Sequence, residues 1–409
     1  MSTSPMMQLG VTLDGAGWHP AAWRAEGARP SDLLRGSYWV DLAREAERGL
    51  LDFVGFDDTL ALASERRGVH DDRVDRVKGR LDAELIAARV GPATSRIGLL
   101  PVATTTHTEP FHHSKAIATL DYVSLGRAGV QVRVSSTQLE AAQFGRRRFP
   151  DRWGAPPDDP AVAAFVVDLF DEAADFVEAM RQLWDSWEDD AEIRDVATGR
   201  FVDRDKLHYI DFEGRFFNVR GPSITPRPPQ GQPVVAALAH NTVPYRLAAR
   251  SADAVFITPH DVEGLRAIVA EIRGLEDEVG RAGDPARIFA DLVVFLDPEP
   301  GVAAARKARL DELDGATWTS DAEIFTGTPA ELAALLERWY EAGVDLTGFR
   351  LRPGVLPADL FAITGGLVPL LQSAGRFRRS YAESTFRERL GLSRPANRYA
   401  RYASLKGAP

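Results

Sequence analysis

Eight times along the chain a short apolar run is followed by a longer stretch with apolar residues at helical spacing. That alternation constrains the fold more than any single motif does. The runs predict strands over 7–13, 52–58, 97–106, 129–135, 233–238, 254–258, 288–296 and 346–351. The stretches between them predict helices over 38–49, 81–93, 112–123, 161–185, 242–250, 262–279, 300–312 with 329–342, and 357–372. Regular βα alternation makes neighbouring strands parallel. Eight such units in one chain make an α/β fold of the (β/α)8 TIM-barrel type. A doubly wound sheet would instead expect a G-x-G-x-x-G fingerprint after the first strand, and Asp14-Gly15-Ala16-Gly17 is too short for one.

The 409 residues therefore read as a single barrel domain. The 136–160 and 200–232 segments fall outside the alternation and are expected as insertions near the C-terminal rim. Within the second, Phe212-Glu213-Gly214-Arg215-Phe216-Phe217 reads as a small hairpin with glycine at its turn. The C-terminal tail, 376–409, carries nine basic and two acidic residues. It is expected to be a solvated or subunit-contacting tail packed on an acidic barrel.

Composition enters by what it excludes. There is no cysteine, so disulfides, thiolate catalysis, zinc–thiolate sites and iron–sulfur clusters are out. The net charge of −10 argues against a general nucleic-acid binder. The N-terminus has no basic n-region or apolar h-region, and no run approaches the roughly 18–20 apolar residues of a membrane span. The expectation is a cytoplasmic protein with no membrane partner.

Barrel active sites lie at the C-terminal ends of the strands, so the polar residues there are the candidates. The second strand ends in Phe56-Asp57-Asp58 and the third in Thr104-Thr105-Thr106-His107. The fourth, Val130-Gln131-Val132-Arg133-Val134-Ser135, alternates strictly. Side chains two apart share a face, so Gln131, Arg133 and Ser135 are expected to point inward and the valines outward. A buried arginine needs a carboxylate or phosphate partner. The reading is a site triplet, or a structural salt bridge. After the fifth strand Asn241 is a good N-cap, and the helix it opens offers free N–H groups to a phosphate. The histidines His107, His112 and His113 lack the spacing of an H-E-x-x-H site, so no metal is expected.

Several segments then match, in order, one known family. They include His19-Pro20-Ala21-Ala22-Trp23-Arg24, Leu51-Asp52-Phe53-Val54-Gly55-Phe56-Asp57-Asp58, Thr104-Thr105-Thr106-His107-Thr108-Glu109-Pro110-Phe111, Leu183-Trp184-Asp185-Ser186-Trp187-Glu188-Asp189-Asp190-Ala191 and Leu390-Gly391-Leu392-Ser393-Arg394-Pro395-Ala396-Asn397-Arg398. The chain resembles the bacterial luciferase-like flavin monooxygenases, in the branch of nitrilotriacetate and dibenzothiophene-sulfone monooxygenases. The resemblance implies a barrel that takes reduced FMN from a separate flavin reductase and reacts it with O2 to a C4a-(hydro)peroxide. That species would oxygenate a small organic substrate. The resemblance also implies a homodimer or homotetramer. It places cofactor contacts at Asp58, Thr104, Thr105, Thr106, Gln131, Ser135, Phe170, His240 and Asn241. Substrate contacts fall at Trp18, His19 and Trp23, and catalytic roles at Gln131, Arg133, Ser135 and His19. Asp58 is expected, by its side chain or backbone, beside the flavin ring, and Asp57 turned into the barrel wall or a neighbouring loop. The phosphate is expected on His240 and Asn241 backbone groups with one arginine of Arg146, Arg147 and Arg148.

The chain also departs from the family. Val130-Gln131-Val132-Arg133-Val134-Ser135 stands where the family has Trp-Asn-Val-Val-Thr-Ser. Leu238-Ala239-His240-Asn241 replaces Ala-Gly-Ser-Ser, and Phe170 replaces a tyrosine. The phosphate pocket is rebuilt, or the flavin differs. A deazaflavin (F420)-dependent oxidoreductase and a non-catalytic flavin-binding protein are the alternatives.

Overall fold

A computed structural model describes residues 6–64, 68–152, 154–156 and 158–400. The end of the tail, 401–409, and residues 153 and 157 of the 136–160 loop lie outside the described residues.

Thirteen strands are described. The barrel strands are β1 (Gln8–Leu13), β2 (Phe53–Phe56), β3 (Gly98–Thr104), β4 (Gly129–Arg133), β9 (Val234–Ala239), β10 (Ala254–Ile257), β11 (Arg287–Leu296) and β13 (Gly348–Pro353). Each pairs in parallel with the next, and β13 pairs back onto β1, so the sheet closes as an eight-stranded barrel. The alternation placed all eight to within a few residues. It missed β12 (Glu323–Gly327), which runs beside the C-terminal half of β11 after β10 has ended. That strand is five residues long and mostly half-buried, so it shows neither a continuous apolar run nor a clean alternation.

Helices surround the barrel: α1 (Gly36–Arg48), α2 (Ala83–Val90), α3 (Pro110–Val123), α5 (Pro160–Asp185), α6 (Thr242–Ser251), α7 (Val262–Glu278), α8 (Val302–Asp314) and α9 (Pro329–Tyr340). The helix expected over 357–372 is α10 (Ala358–Ala362) and α11 (Val368–Ser373), joined by a π-turn over Ile363–Leu367. A short helix, α4 (Gln138–Phe144), lies within the 136–160 insertion, with Thr137 accepting from the Glu140 N–H as N-cap. The second insertion contains two hairpins, β5–β6 (Glu192–Asp195, Arg200–Val202) and β7–β8 (Phe212–Glu213, Asn218–Val219). The latter is the hairpin read around Gly214. This insertion is rooted at the N-terminal end of the barrel, where the Gln230 amide donates to the Ala128 carbonyl just before β4. It reaches back along α5, so that Arg215 pairs with Asp168.

The barrel interior is packed in two parts. Its lower part is a plug of Phe53, Leu100, Val234, Phe256 and Phe289 with Phe386, Leu390 and Leu392 from the C-terminal segment. Glycine makes room for it: a Cβ on Gly10 would lie 2.2 Å from the Phe53 ring and one on Gly98 2.6 Å from Phe386. The described part of the tail, 376–400, is therefore not a solvated appendage. Helix α12 (Phe386–Arg389) closes the bottom of the barrel, and arginines on it and beside it are matched: Arg378 with Asp52, Arg387 with Asp253, Arg394 with Asp189, Arg398 with Glu178 and Asp185.

Above the plug the interior is ionic. Asp291 of β11 accepts two hydrogen bonds from Arg350 of β13, from Nε at 2.8 Å and Nη2 at 2.5 Å, and another from Arg352. Arg350 also donates to the Gln131 Oε1 of β4 and lies 3.7 Å from the centroid of the Phe256 ring. All three charged side chains are at most 2 % exposed. Breaking a buried ion pair by removing one partner leaves an uncompensated charge, typically costing about 3–5 kcal/mol. Asp291→Asn is thus expected to lower unfolding stability by about that much, read as a drop in the urea midpoint at unchanged slope. An unchanged midpoint would mean that the two arginines are compensated elsewhere.

Candidate active site

The strand alternation decides what reaches the barrel mouth. On β4, Val130 and Val132 pack outward among helix residues, and Gln131 and Arg133 take the inner face. On β2, Phe53 belongs to the plug and Gly55 faces Thr12, so Asp57, two residues on, continues the inner face. Asp58 is on the outer one. Its carboxylate accepts from the first N–H of α2, Ala83, at 3.0 Å and from Thr59 at 2.7 Å. Asp57 accepts instead from Arg80, at 2.9 Å, which also approaches Asp14 at 3.5 Å. Asp57 thus turns to Arg80 of the loop that follows β2, one of the two placements expected for it, while Asp58 lines the same cleft and supports a helix start.

Arg133 is half-buried and has the carboxylate partner expected of it. Glu140 of α4 accepts from Arg133 at 2.9 Å, from the Thr59 hydroxyl at 2.8 Å and from the Leu60 N–H at 3.0 Å, and also takes the Ser135 hydroxyl. Burial would raise the Glu140 carboxyl, but Arg133 and the hydroxyl donors outweigh it and hold it at about 2. Thr104 sits beside Arg133 at 3.4 Å, Thr105 donates its hydroxyl to the Arg133 carbonyl, and the Thr106 hydroxyl accepts from the Ser135 N–H at 2.9 Å. The three threonines thus join the ends of β3 and β4.

Across the mouth, Arg352 donates to Asp321 at 2.7 Å, and His240 lies 3.7 Å from the same carboxylate. Burial opposes the Asp321 charge, yet Arg352 holds that carboxyl at about 2. His240 also meets the Thr258 hydroxyl at 3.1 Å. Asn241 caps α6 as expected, its side chain accepting from Val243 at 3.3 Å. The anion site at that helix start is narrower than expected, because Val243 is so engaged and Pro244 has no N–H. Phe170 packs with Val134 and Leu247 behind the end of β4.

The residues after β1 divide. Trp18 donates its indole N–H to the Thr12 carbonyl and has the Arg352 guanidinium 4.7 Å from its ring centroid. Trp23 donates to the Asp75 carbonyl. His19 is 1 % exposed, and both ring nitrogens are taken: Nε2 meets Asp311 at 3.0 Å, and Nδ1 accepts from the Ala21 N–H at 3.1 Å. Its ring packs against Phe295 and Trp318. A histidine with no free nitrogen cannot exchange protons with a substrate, so the catalytic role expected of His19 does not follow from this geometry. The other histidines are dispersed: His107 lies between Phe144 and Phe149, and His113 is held by Glu84.

Two clefts open at the mouth and share Ala63, Ser64 and Arg80. One, of about 340 Å³, is lined by Asp57, Asp58, Arg133 and Glu140; the other, of about 180 Å³, by Asp14, Trp18 and Trp23. Of these groups Asp14, Arg80 and Glu140, like Asp291, Asp321, Arg350 and Arg352 beneath, were not picked out in the sequence. A signal was present for some. Phe349-Arg350-Leu351-Arg352 alternates as β4 does, and Asp291 interrupts an apolar run.

The luciferase-like monooxygenase family model matches residues 17–319. The N-acetyl-S-(2-succino)cysteine monooxygenase of Bacillus subtilis (strain 168) is 29% identical, over 98% of this chain and 100% of its own length. Nitrilotriacetate monooxygenase component A of Aminobacter aminovorans is 28% identical, over 98% and 100%. Among solved structures, a long-chain alkane monooxygenase superposes with a TM-score of 0.81 at 22% identity, covering 95% of this chain and 96% of that one. A closed parallel barrel with its clefts at the C-terminal mouth, matched by the family model over most of its length, belongs to an enzyme of the luciferase-like, flavin-dependent monooxygenase family.

Proposed function

We propose that this enzyme is the oxygenating component of a two-component system. It takes FMN already reduced by a separate flavin reductase and uses O2 to oxygenate a small organic substrate at the barrel mouth. The observation that carries the reading is the polar inner face under the paired clefts, in a barrel whose outer face is apolar.

The residues present fit a flavin. The two clefts adjoin through Arg80, and below them the Thr12 hydroxyl is buried with no hydrogen-bond partner. A buried polar atom without a partner points to a group that completes it. Thr12, Thr104 and Arg133 would face the ring, with Asp57 and Arg80 at its edge. For the phosphate, Arg146 is paired with Glu109 and Arg147 with Glu172. That leaves Arg148 of this run and the Thr242 N–H as the groups that would hold it.

Bound reduced flavin supplies the electrons and the reaction with O2. The chain orients it and keeps water out, with Trp18 and Trp23 forming an apolar wall. A deazaflavin would enter the same mouth. FMN is favoured by the family and by near-complete alignment to monooxygenases.

The test is an anaerobic titration of the full-length protein with reduced FMN and, separately, with reduced F420, followed by mixing with O2. Saturable FMNH2 binding and a substrate-dependent fall in peroxide release are expected. Binding of F420 alone would overturn the proposal. Arg148→Ala is expected to cut the preference for FMN over riboflavin about tenfold, roughly 1.4 kcal/mol, and Arg146→Ala to leave it unchanged. Equal preference in both variants would assign the phosphate to the α6 terminus. Asp57→Asn is expected to lower kcat/KM at least tenfold at little cost in melting temperature. Asp58→Asn is expected to do the reverse, lowering stability by about 0.5–2 kcal/mol, as loss of a helix-terminal acceptor does.

A further inference from the structure

The smaller cleft holds one charged group, Asp14, that the flavin reading does not use. Trp18 and Trp23 wall it, Asp14 lies at the end of β1 on its lining, and His19, Arg76 and Arg80 are the other charged or ionisable groups around it among the described residues. What matters is which of these groups is still free to meet a ligand.

Most of the donors are engaged. Both indole N–H groups are given to backbone carbonyls, at 3.1 Å and 2.9 Å, so the tryptophans offer the cleft π surface and no hydrogen. His19 has both nitrogens satisfied. Arg76 is bound to Asp314 through Nε at 2.8 Å and Nη2 at 2.5 Å. Arg80 donates to Asp57 at 2.9 Å. Each arginine is thus matched by a carboxylate outside or at the edge of the cleft. Asp14 is the group left over. Its closest cation is Arg80, at 3.5 Å, already committed to Asp57, and its carboxylate accepts no hydrogen bond among the described residues. On the same face of β1, two residues below, the Thr12 hydroxyl is buried and also without a partner.

Among the described residues the single Arg80 faces two carboxylates, Asp14 and Asp57, so the local charge balance is negative and disfavours an anion. An aromatic wall with a carboxylate attracts a cation, through the ring quadrupole on one side and the ion pair on the other. The cleft of about 180 Å³ equals the liquid volume of about six waters, enough for a head group of a few heavy atoms.

We infer that this cleft recognises the positively charged head of a small organic cation, an alkylammonium or protonated amine, with the Asp14 carboxylate as its counter-ion. The inference deepens the proposed function, on which it rests, by naming the substrate class of the same mouth. Burial pushes the Asp14 carboxyl up to about 6, with Arg80 acting against the rise and Asp57 and Asp58 adding to it. An incoming cation relieves that state.

The experiment is calorimetry on the full-length protein without added flavin, using tetramethylammonium, its neutral isostere tert-butanol, and succinate as probes. Tetramethylammonium is expected to bind at least tenfold more tightly than tert-butanol, with no saturable heat from succinate. Asp14→Asn is expected to lose at least tenfold of the ammonium affinity and Asp14→Glu to restore part of it. Trp23→Leu is expected to lose severalfold, with circular dichroism melts checking that each variant folds. Preference for succinate, absence of ammonium binding, or equal ammonium binding by wild type and Asp14→Asn would overturn the inference. Because FMN binding is measured separately, ammonium binding without FMN binding would sink the flavin proposal alone, and the reverse would sink the substrate class alone.

Discussion

Asp291, held between Arg350 and Arg352, is the interaction on which the rest of the barrel depends. Three charges on two adjacent strands are taken out of water at the barrel axis, which is favourable only where every charge has a partner and a hydrogen bond. The partners are spread around the barrel. Arg350 reaches Gln131 on β4 and lies on Phe256 of β10, and Arg352 reaches Asp321 just before β12. The network therefore locks the strand register on both sides of the mouth. It also sets the base on which Trp18 rests, since the Arg352 guanidinium lies against that ring.

The two ends of the barrel divide the work. At the bottom, Phe386, Leu390 and Leu392 complete an aromatic and aliphatic plug, and the arginines beside them meet acids of the barrel wall. That end is built for closure. At the top, the polar layer faces clefts and lines them with its pairs. Glu140 shows how the mouth is kept in shape: one carboxylate gathers Arg133, Thr59, Leu60 and Ser135, joining β4 and α4 to the segment that follows β2. Asp14 shares Arg80 with Asp57 and accepts no hydrogen bond among the described residues, which sets it apart from these closed pairs.

Much of this was legible along the chain, because period and burial are local. Apolar runs of five to ten residues separated by helical stretches located the eight barrel strands, and the alternation on β4 placed Gln131 and Arg133 inside. The Asn241 cap and the Gly214 hairpin were read from turn and cap chemistry alone. The strand β12 escaped because a short, half-buried strand on the flank of a barrel carries no strong period.

What the sequence by itself determined is the barrel, its order of strands and the end at which polar residues gather, since these follow from side-chain period and from the geometry of βα units. What only the tertiary structure decided is partnership. Arg133 found Glu140 seven residues on, but Arg350 found Asp291 at 59 residues and Gln131 at 219, and His19 found Asp311 at 292. No spacing rule links such pairs, because closure of the barrel brings them together. The same closure turned Asp57 inward and Asp58 outward, a choice of register by one residue that a strand end leaves open until its neighbours are packed.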